Sequence, residues 1–206
     1  LIDVGKAILR VGLSILKIGF SFIKDLNDRI DNFVYIPAGG TWMREEDMGI
    51  HEKLKSISTI FSWKTWNHGH RLRHSIYNMF KDSGKIDFYG SGCDKPIDLK
   101  VDGLKDYRFS VVIENSIESD YFTEKLLDCF LTGTIPIYWG TKNIENYFDT
   151  NGVIFINDEN ELSTIIDTLD VELYNSKINS IQSNFESAKK YIYPEKIIET
   201  YLNENV

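Results

Sequence analysis

Arg108-Phe109-Ser110-Val111-Val112-Ile113-Glu114-Asn115-Ser116, continued by Asp120-Tyr121-Phe122-Thr123-Glu124-Lys125 and by Gly133-Thr134-Ile135-Pro136-Ile137-Tyr138-Trp139-Gly140, reads as strand, polar loop, helix, tight turn and strand. Val111, Val112 and Ile113 are a run of β-branched residues suited to a strand buried on both faces, as in a parallel sheet covered by helices. Polar residues begin where that strand ends. Ligands of open α/β sheets lie beyond the carboxyl ends of the strands, which makes Glu114, Asn115 and Ser116 a candidate binding loop. Asp120 or Thr123 can cap the following helix, whose first turn offers free N–H groups and a partial positive charge to an anion. Lys125 adds a point charge suited to phosphate, and the Glu124 carboxylate suits the side-by-side hydroxyls of a ribose. Together the pair describes a nucleotide, although a Glu-Lys dipeptide on a first turn is by itself an ordinary solvated pair.

Working outward, the same strand-then-helix order recurs. Asn32 to Ile36, Ile57 to Phe61, Lys85 to Tyr89 and Gly152 to Ile156 read as strands. Helices are expected near Met48 to Leu54, beyond Gly69, near Ile144 to Phe148, and over Glu161 to Leu169, Leu173 to Tyr191 and Glu195 to Leu202. This alternation predicts an α/β fold, a Rossmann-like parallel sheet with helices on both faces. Arg71, Arg73 and His74 fall near the start of the helix beyond Gly69, where cations oppose the macrodipole unless an anion lies between them and the helix end.

The run Glu114-Asn115-Ser116, Asp120-Tyr121, Thr123-Glu124-Lys125-Leu126 and Ile135-Pro136-Ile137, closed by Gly140, resembles the signature of the α-1,3/α-1,4-fucosyltransferases, family 10 of the glycosyltransferases. A signature with fixed spacing over roughly thirty positions is far less prone to chance than a lone glycine motif. The resemblance implies the C-terminal, donor-binding half of a GT-B enzyme that transfers fucose from GDP-fucose, with inversion, to a hydroxyl of an acceptor glycan. It implies a donor site of Ser62, Arg73, Asn115, Glu124 and Lys125, with Arg71 the rival to Arg73, and Tyr121 and Glu114 as further candidates. No cofactor is implied beyond the donor substrate, and the sequence shows no Asp-x-Asp for a metal ion. The family's general base comes from its N-terminal domain. Nothing from Leu1 to Thr41 reads as such a domain and Glu45 and Glu46 read as an exposed acidic run, so the base is expected outside this chain. A non-catalytic nucleotide-sugar-binding module, or a truncated inactive fragment, is the alternative.

Bulk properties agree with one cored domain: 206 residues with a formal net charge of −8, which argues against a nucleic-acid partner. Cys93 and Cys129 read as free thiols, and His68, His70 and His74 as surface histidines without metal-ligand spacing. The chain starts at Leu1 rather than Met, and a fragment or processed form is expected. Residues 1–31 read as an amphipathic helix that leads into or joins domains, 32–192 as the donor-binding domain, and 193–206 as a C-terminal helix returning to a missing N-terminal domain. The apolar stretch of the first segment is broken by Arg10 and Lys17, so neither a signal peptide nor a transmembrane helix is read there, and a cytoplasmic or membrane-peripheral location is expected.

Two substitutions separate binding from packing in this reading. Lys125→Ala is expected to weaken nucleotide binding and leave folding nearly intact. Glu114, expected to bond backbone N–H groups of the Asn115 to Asp120 loop, should do the reverse as Glu114→Gln.

Overall fold

The computed structural model describes residues 19–21 and 33–205. The main sheet has five strands: β3 (Lys55–Ile60), β4 (Asp87–Tyr89), β5 (Tyr107–Ile113), β6 (Ile135–Trp139) and β7 (Ile154–Phe155). All pairings are parallel and the spatial order is β4-β3-β5-β6-β7. Counted from its first strand this is a 2-1-3-4-5 order, with the direction of winding reversing between β3 and β5. A separate parallel pair, β1 (Gly19–Ser21) and β2 (Phe33–Tyr35), precedes it. The amphipathic helix expected over residues 1–31 is therefore interrupted by a strand at 19–21, where the backbone pairs with β2 instead of closing helical turns; the rest of that expectation lies outside the described residues.

Alternation along the central strands builds two apolar layers. Phe109, Val111 and Ile113 of β5 and Ile135, Ile137 and Trp139 of β6 face one side, under α1 (His68–Phe80) and α3 (Glu159–Ile165). Val112 and Tyr138 face the other, under α2 (Glu124–Phe130), which contributes Leu126, Leu127, Cys129 and Phe130. The long helix expected from Leu173 to Tyr191 breaks at Lys177 into α4 (Val171–Ser176) and α5 (Ile178–Ala188). The last helix, α6 (Pro194–Asn205), begins with a proline, whose missing N–H costs nothing at that position. Its Tyr201 ring meets Phe20 of β1 edge to face at 5.8 Å.

One expected helix does not form. Met48 to Leu54 runs without helix after a single 3-10 turn at Glu45–Asp47. The chain is held extended there because Gly49 N donates to Leu131 O at 2.9 Å and Lys53 spans the lower edge of the sheet. Lys53 Nζ donates to Lys105 O (2.9 Å), Thr132 O (2.7 Å) and Thr134 Oγ1 (2.9 Å), tying β3, β5 and β6 together just before they begin. These acceptors are neutral. Burial pulls the amine down to about 7 from an ordinary 10.5, with Cys129 and Asp106 opposing the shift.

A base depressed in the folded state binds fewer protons than it does unfolded, so the cost of charging Lys53 is fully present below pH 7 and is relieved as pH rises from 7 toward 10.5. Stability to denaturant should rise by about 2 kcal/mol or more between pH 7 and 9.5. A Lys53→Met variant should lack that rise. A wild-type profile that stays flat across the window would remove Lys53 as the cause.

Candidate active site

The site lies at the switch point, where the carboxyl ends of β3 and β5 diverge. Two helices start there from opposite faces of the sheet. α1 is capped by Asn67, whose Oδ1 accepts from His70 N at 2.8 Å, and its Gly69 N donates to Asn115 O at 3.2 Å. A Cβ on Gly69 would lie 1.7 Å from Glu114 O, so only glycine lets the helix start this close to the end of β5. α2 is capped by Thr123, not by Asp120, which occupies a left-handed turn (φ 58°) instead.

Glu114 is fully buried and holds α2 in place. Its Oε1 accepts from Thr123 N at 2.9 Å; its Oε2 accepts from Thr123 Oγ1 at 2.8 Å and from Lys125 Nζ at 3.3 Å. The structural role expected for Glu114 is present, but the backbone it bonds is the helix cap and not the Asn115 to Asp120 loop. Lys125 Nζ also reaches Thr123 Oγ1 at 2.8 Å and Glu124 Oε1 at 3.2 Å, so its three N–H groups all have acceptors. Burial works against the Lys125 charge, and Glu114 and Glu124 outweigh it, leaving its pKa raised. Burial likewise works against the Glu124 charge, and Lys125 and Lys100 outweigh it, leaving that pKa lowered.

Arg73 enters from α1. Its guanidinium is buried and donates through Nε (3.1 Å) and Nη2 to Ile113 O, the last carbonyl of β5, and through Nη2 to Asn115 Oδ1 at 3.0 Å. Desolvation lowers its pKa against the pull of Glu114 and Glu124. Arg71 is exposed: two residues apart on a helix means nearly opposite faces, so Arg73 turns to the sheet while Arg71 turns to water. Of the two arginines, it is Arg73 that joins the residues at the end of β5. Ser62 follows the end of β3 and is half-buried, and Tyr121 lies close enough to Glu114, Lys125 and Arg73 to feel their charges. The structure thus brings Arg73, Asn115, Glu114, Glu124, Lys125 and Tyr121 into one cluster, places Ser62 across the switch point, and leaves Arg71 outside. Beside the cluster, His68, Ser116, Ile117, Trp139 and Asn157 line an open groove of about 460 Å³.

His70 differs from the expectation, and Asp128 had drawn none. His70 is buried, 6% exposed, rather than a surface histidine, because α1 begins at His68 and turns position 70 inward beneath Trp66. Its signal was the Asn three residues ahead, a helix cap that fixes which face of the first turn points inward. Asp128, four residues beyond Glu124 on α2, is 1% exposed and accepts from Thr41 Oγ1 (2.6 Å), Trp42 N (3.1 Å) and Lys100 Nζ (3.0 Å). It fastens the segment after β2 to the helix that carries Glu124 and Lys125. Among the described residues no group of three or more His, Cys, Asp or Glu is placed to hold a metal ion, and no helix is long and apolar enough to cross a membrane.

A parallel sheet in this order, with polar side chains from α1 and α2 meeting at its switch point, defines a Rossmann-like domain of the GT-B glycosyltransferase kind. Solved structures agree at the level of fold: an α1,3-fucosyltransferase with GDP-fucose superposes with a TM-score of 0.51 at 20% identity, covering 67% of this chain and 47% of that one. A pneumococcal O-GlcNAc transferase, GtfA, in complex with UDP and GlcNAc gives 0.51 at 14% identity, covering 84% and 39%. The model of the C-terminal part of glycosyltransferase family 10 (fucosyltransferase) matches residues 50–192, and the chain belongs to that family. The human 4-galactosyl-N-acetylglucosaminide 3-alpha-L-fucosyltransferase 9 is 28% identical over 144 residues, which are 68% of this chain and 40% of that protein. A fucosyltransferase-like protein of Arabidopsis thaliana is 43% identical over 96 residues, 45% of this chain and 18% of that one. The chain thus spans less than half the length of these relatives.

The pairing of Lys125 with Glu114 changes the stability expected of the two variants. Lys125 is the countercharge of a fully buried carboxylate, so Lys125→Ala leaves Glu114 charged and unpaired, and should cost about 3 kcal/mol of stability, near the cost of breaking a buried ion pair. Glu114→Gln keeps an acceptor for Thr123 N and should cost less. In denaturant titrations the double variant Glu114→Gln/Lys125→Met should recover part of the Lys125→Ala loss; a Lys125→Ala protein as stable as wild type would contradict the pairing.

Proposed function

We propose that this chain binds GDP-fucose and supplies the donor half of an inverting fucosyl transfer to a hydroxyl of an acceptor glycan. The carrying observation is the convergence of Arg73 and Asn115 from one face with Glu124 and Lys125 from the other, at the carboxyl ends of the strands. In this reading Arg73 and Lys125 meet the diphosphate, whose negative charge grows as the sugar leaves and is best stabilised at that moment by fixed cations. Asn115 uses its carbonyl oxygen on Arg73 and has its amide N–H groups for a phosphate oxygen. Glu124, only partly exposed, takes the ribose hydroxyls, and the exchange frees one Lys125 N–H for phosphate. Ser62 and Tyr121 border the same nucleotide, and an open groove lies beside Ser116.

Support comes from the family membership and from relatives that are named 3-alpha-L-fucosyltransferases. Residues 32–192 form the donor-binding domain in this proposal, and residues 193–206 the helix that returns toward an N-terminal domain of the same polypeptide. The proton of the acceptor hydroxyl goes to a carboxylate outside this chain, since Glu45 and Glu46 are exposed on a short turn and Glu114 is sealed under α2. No metal ion is called for, because the fixed cations already face the leaving group.

Titration calorimetry tests the donor assignment: GDP should bind more tightly than uridine diphosphate, and equal affinity would sink it. Arg73→Lys keeps the charge and loses the planar fork, so it should weaken GDP by about tenfold while leaving the binding of guanosine, which lacks phosphate, unchanged. Equal losses for both ligands would move Arg73 away from the diphosphate.

A further inference from the structure

Among the described residues His70 is the one histidine with a ring nitrogen both buried and without a hydrogen-bond partner, its Nδ1, and it lies three residues before Arg73 on the same buried face of α1. It cannot swing freely. Its backbone N is fixed by Asn67, the preceding Gly69 is pressed against the end of β5, and the Trp66 ring stands edge-on to it at 6.3 Å. The charges that act on it most strongly are of one sign: Arg73, Lys64, Lys125 and His74, from α1, from the loop before it and from α2. Burial first, then these cations, lower its pKa and hold the ring neutral at pH 7. A polar atom left unpaired in a buried, cationic place is out of balance until something anionic arrives.

We propose that His70 is a further donor-site residue: it takes a proton from solvent as a nucleoside diphosphate binds, donates a hydrogen bond toward the diphosphate, and returns the proton when the nucleotide leaves. This rests on the donor reading above. The diphosphate carries at least two negative charges into a group where Arg73 and Lys125 are already offset by Glu114 and Glu124, so the bound state has room for one more cation. An anion nearby favours the charged imidazole, reversing the effect of the lysines and arginine. His70 is suited to this because its neutral form adds no repulsion to the empty site, while its charged form appears only with the ligand. The Trp66 ring beside it is itself largely exposed, so a single surface side chain separates His70 from solvent on that side.

The chain has four histidines, so their ring protons can be resolved and assigned by NMR with single variants. In the free protein His70 should titrate below the ordinary 6.5, and with saturating GDP above it. Calorimetry in two buffers of different ionisation enthalpy should show, near pH 6.5, about half a proton more taken up per GDP by the wild type than by His70→Gln, the titration of GDP being common to both. Between pH 8 and 6 the wild-type affinity should gain about fivefold more than that of the variant, a comparison in which the titration of GDP itself cancels. A His70 titration unmoved by GDP, or equal proton uptake in both proteins, overturns the inference while leaving the donor reading in place. If the wild type fails to bind GDP, the donor reading falls and takes this one with it. Should His70→Gln not fold, the wild-type titration decides.

Discussion

The buried carboxylate of Glu114 is the constraint on which the rest of the site depends. It sits one residue past the end of the central strand with no exposure, a place where an ionised group is costly unless every lone pair is used. Thr123 supplies two donors and Lys125 the charge, all from the start of α2. That requirement fixes both the height and the rotation of the helix over the sheet. It also orients Lys125, since an ammonium held by Glu114 and Thr123 is preorganised and a free one on the same helix would sample many rotamers. The strand can end in a carboxylate only because the helix returns to it, and the helix can begin here only because the carboxylate caps it.

The other helix meets the same strand by a different device. α1 has no carboxylate to dock on; it approaches through Gly69, where the absence of a side chain lets backbone touch backbone, and Arg73 then reaches one turn further to clasp the carbonyl of Ile113 and the side chain of Asn115. Both helices are therefore referenced to the last residues of β5. Arg73 and Lys125, which start on opposite faces of the sheet, end within range of each other's charge. A site assembled this way inherits the rigidity of a buried central strand, whereas one built on loops alone would not.

Much of this was legible in the sequence. The β-branched run Val111 to Ile113 and the alternation of strands with amphipathic segments fix a parallel sheet, because both are set by local periodicity. Asn115, Glu124 and Lys125 stand out because the strand end and the helix start leave them nowhere else to be. What escaped the sequence were effects of tertiary geometry. Position 70 turns inward only once the helix start is known to within a residue, and Met48 to Leu54 stays extended because Leu131 O and the lower edge of the sheet hold it. Lys125 looked like a free ligand for phosphate because nothing local shows that the glutamate eleven residues earlier is buried against it.

The acidity of the chain sharpens the point about local charge. A net charge of −8 should repel a nucleoside diphosphate at a distance, yet at physiological salt charges more than about 8 Å apart are largely screened from one another. What an anion meets in the cleft is therefore decided by nearby groups, among them Arg73 and Lys125 with Glu114 and Glu124, and Lys100 with Asp128. Two of those carboxylates are buried, Glu114 beneath α2 and Asp128 on it, and they bond the start of that helix and the segment after β2 respectively. Lys125 and Lys100 are thus each held by a buried acid, Glu114 and Asp128. An acidic protein can in this way present a locally cationic cleft without a basic face, because the balancing carboxylates lie below the surface that the ligand sees.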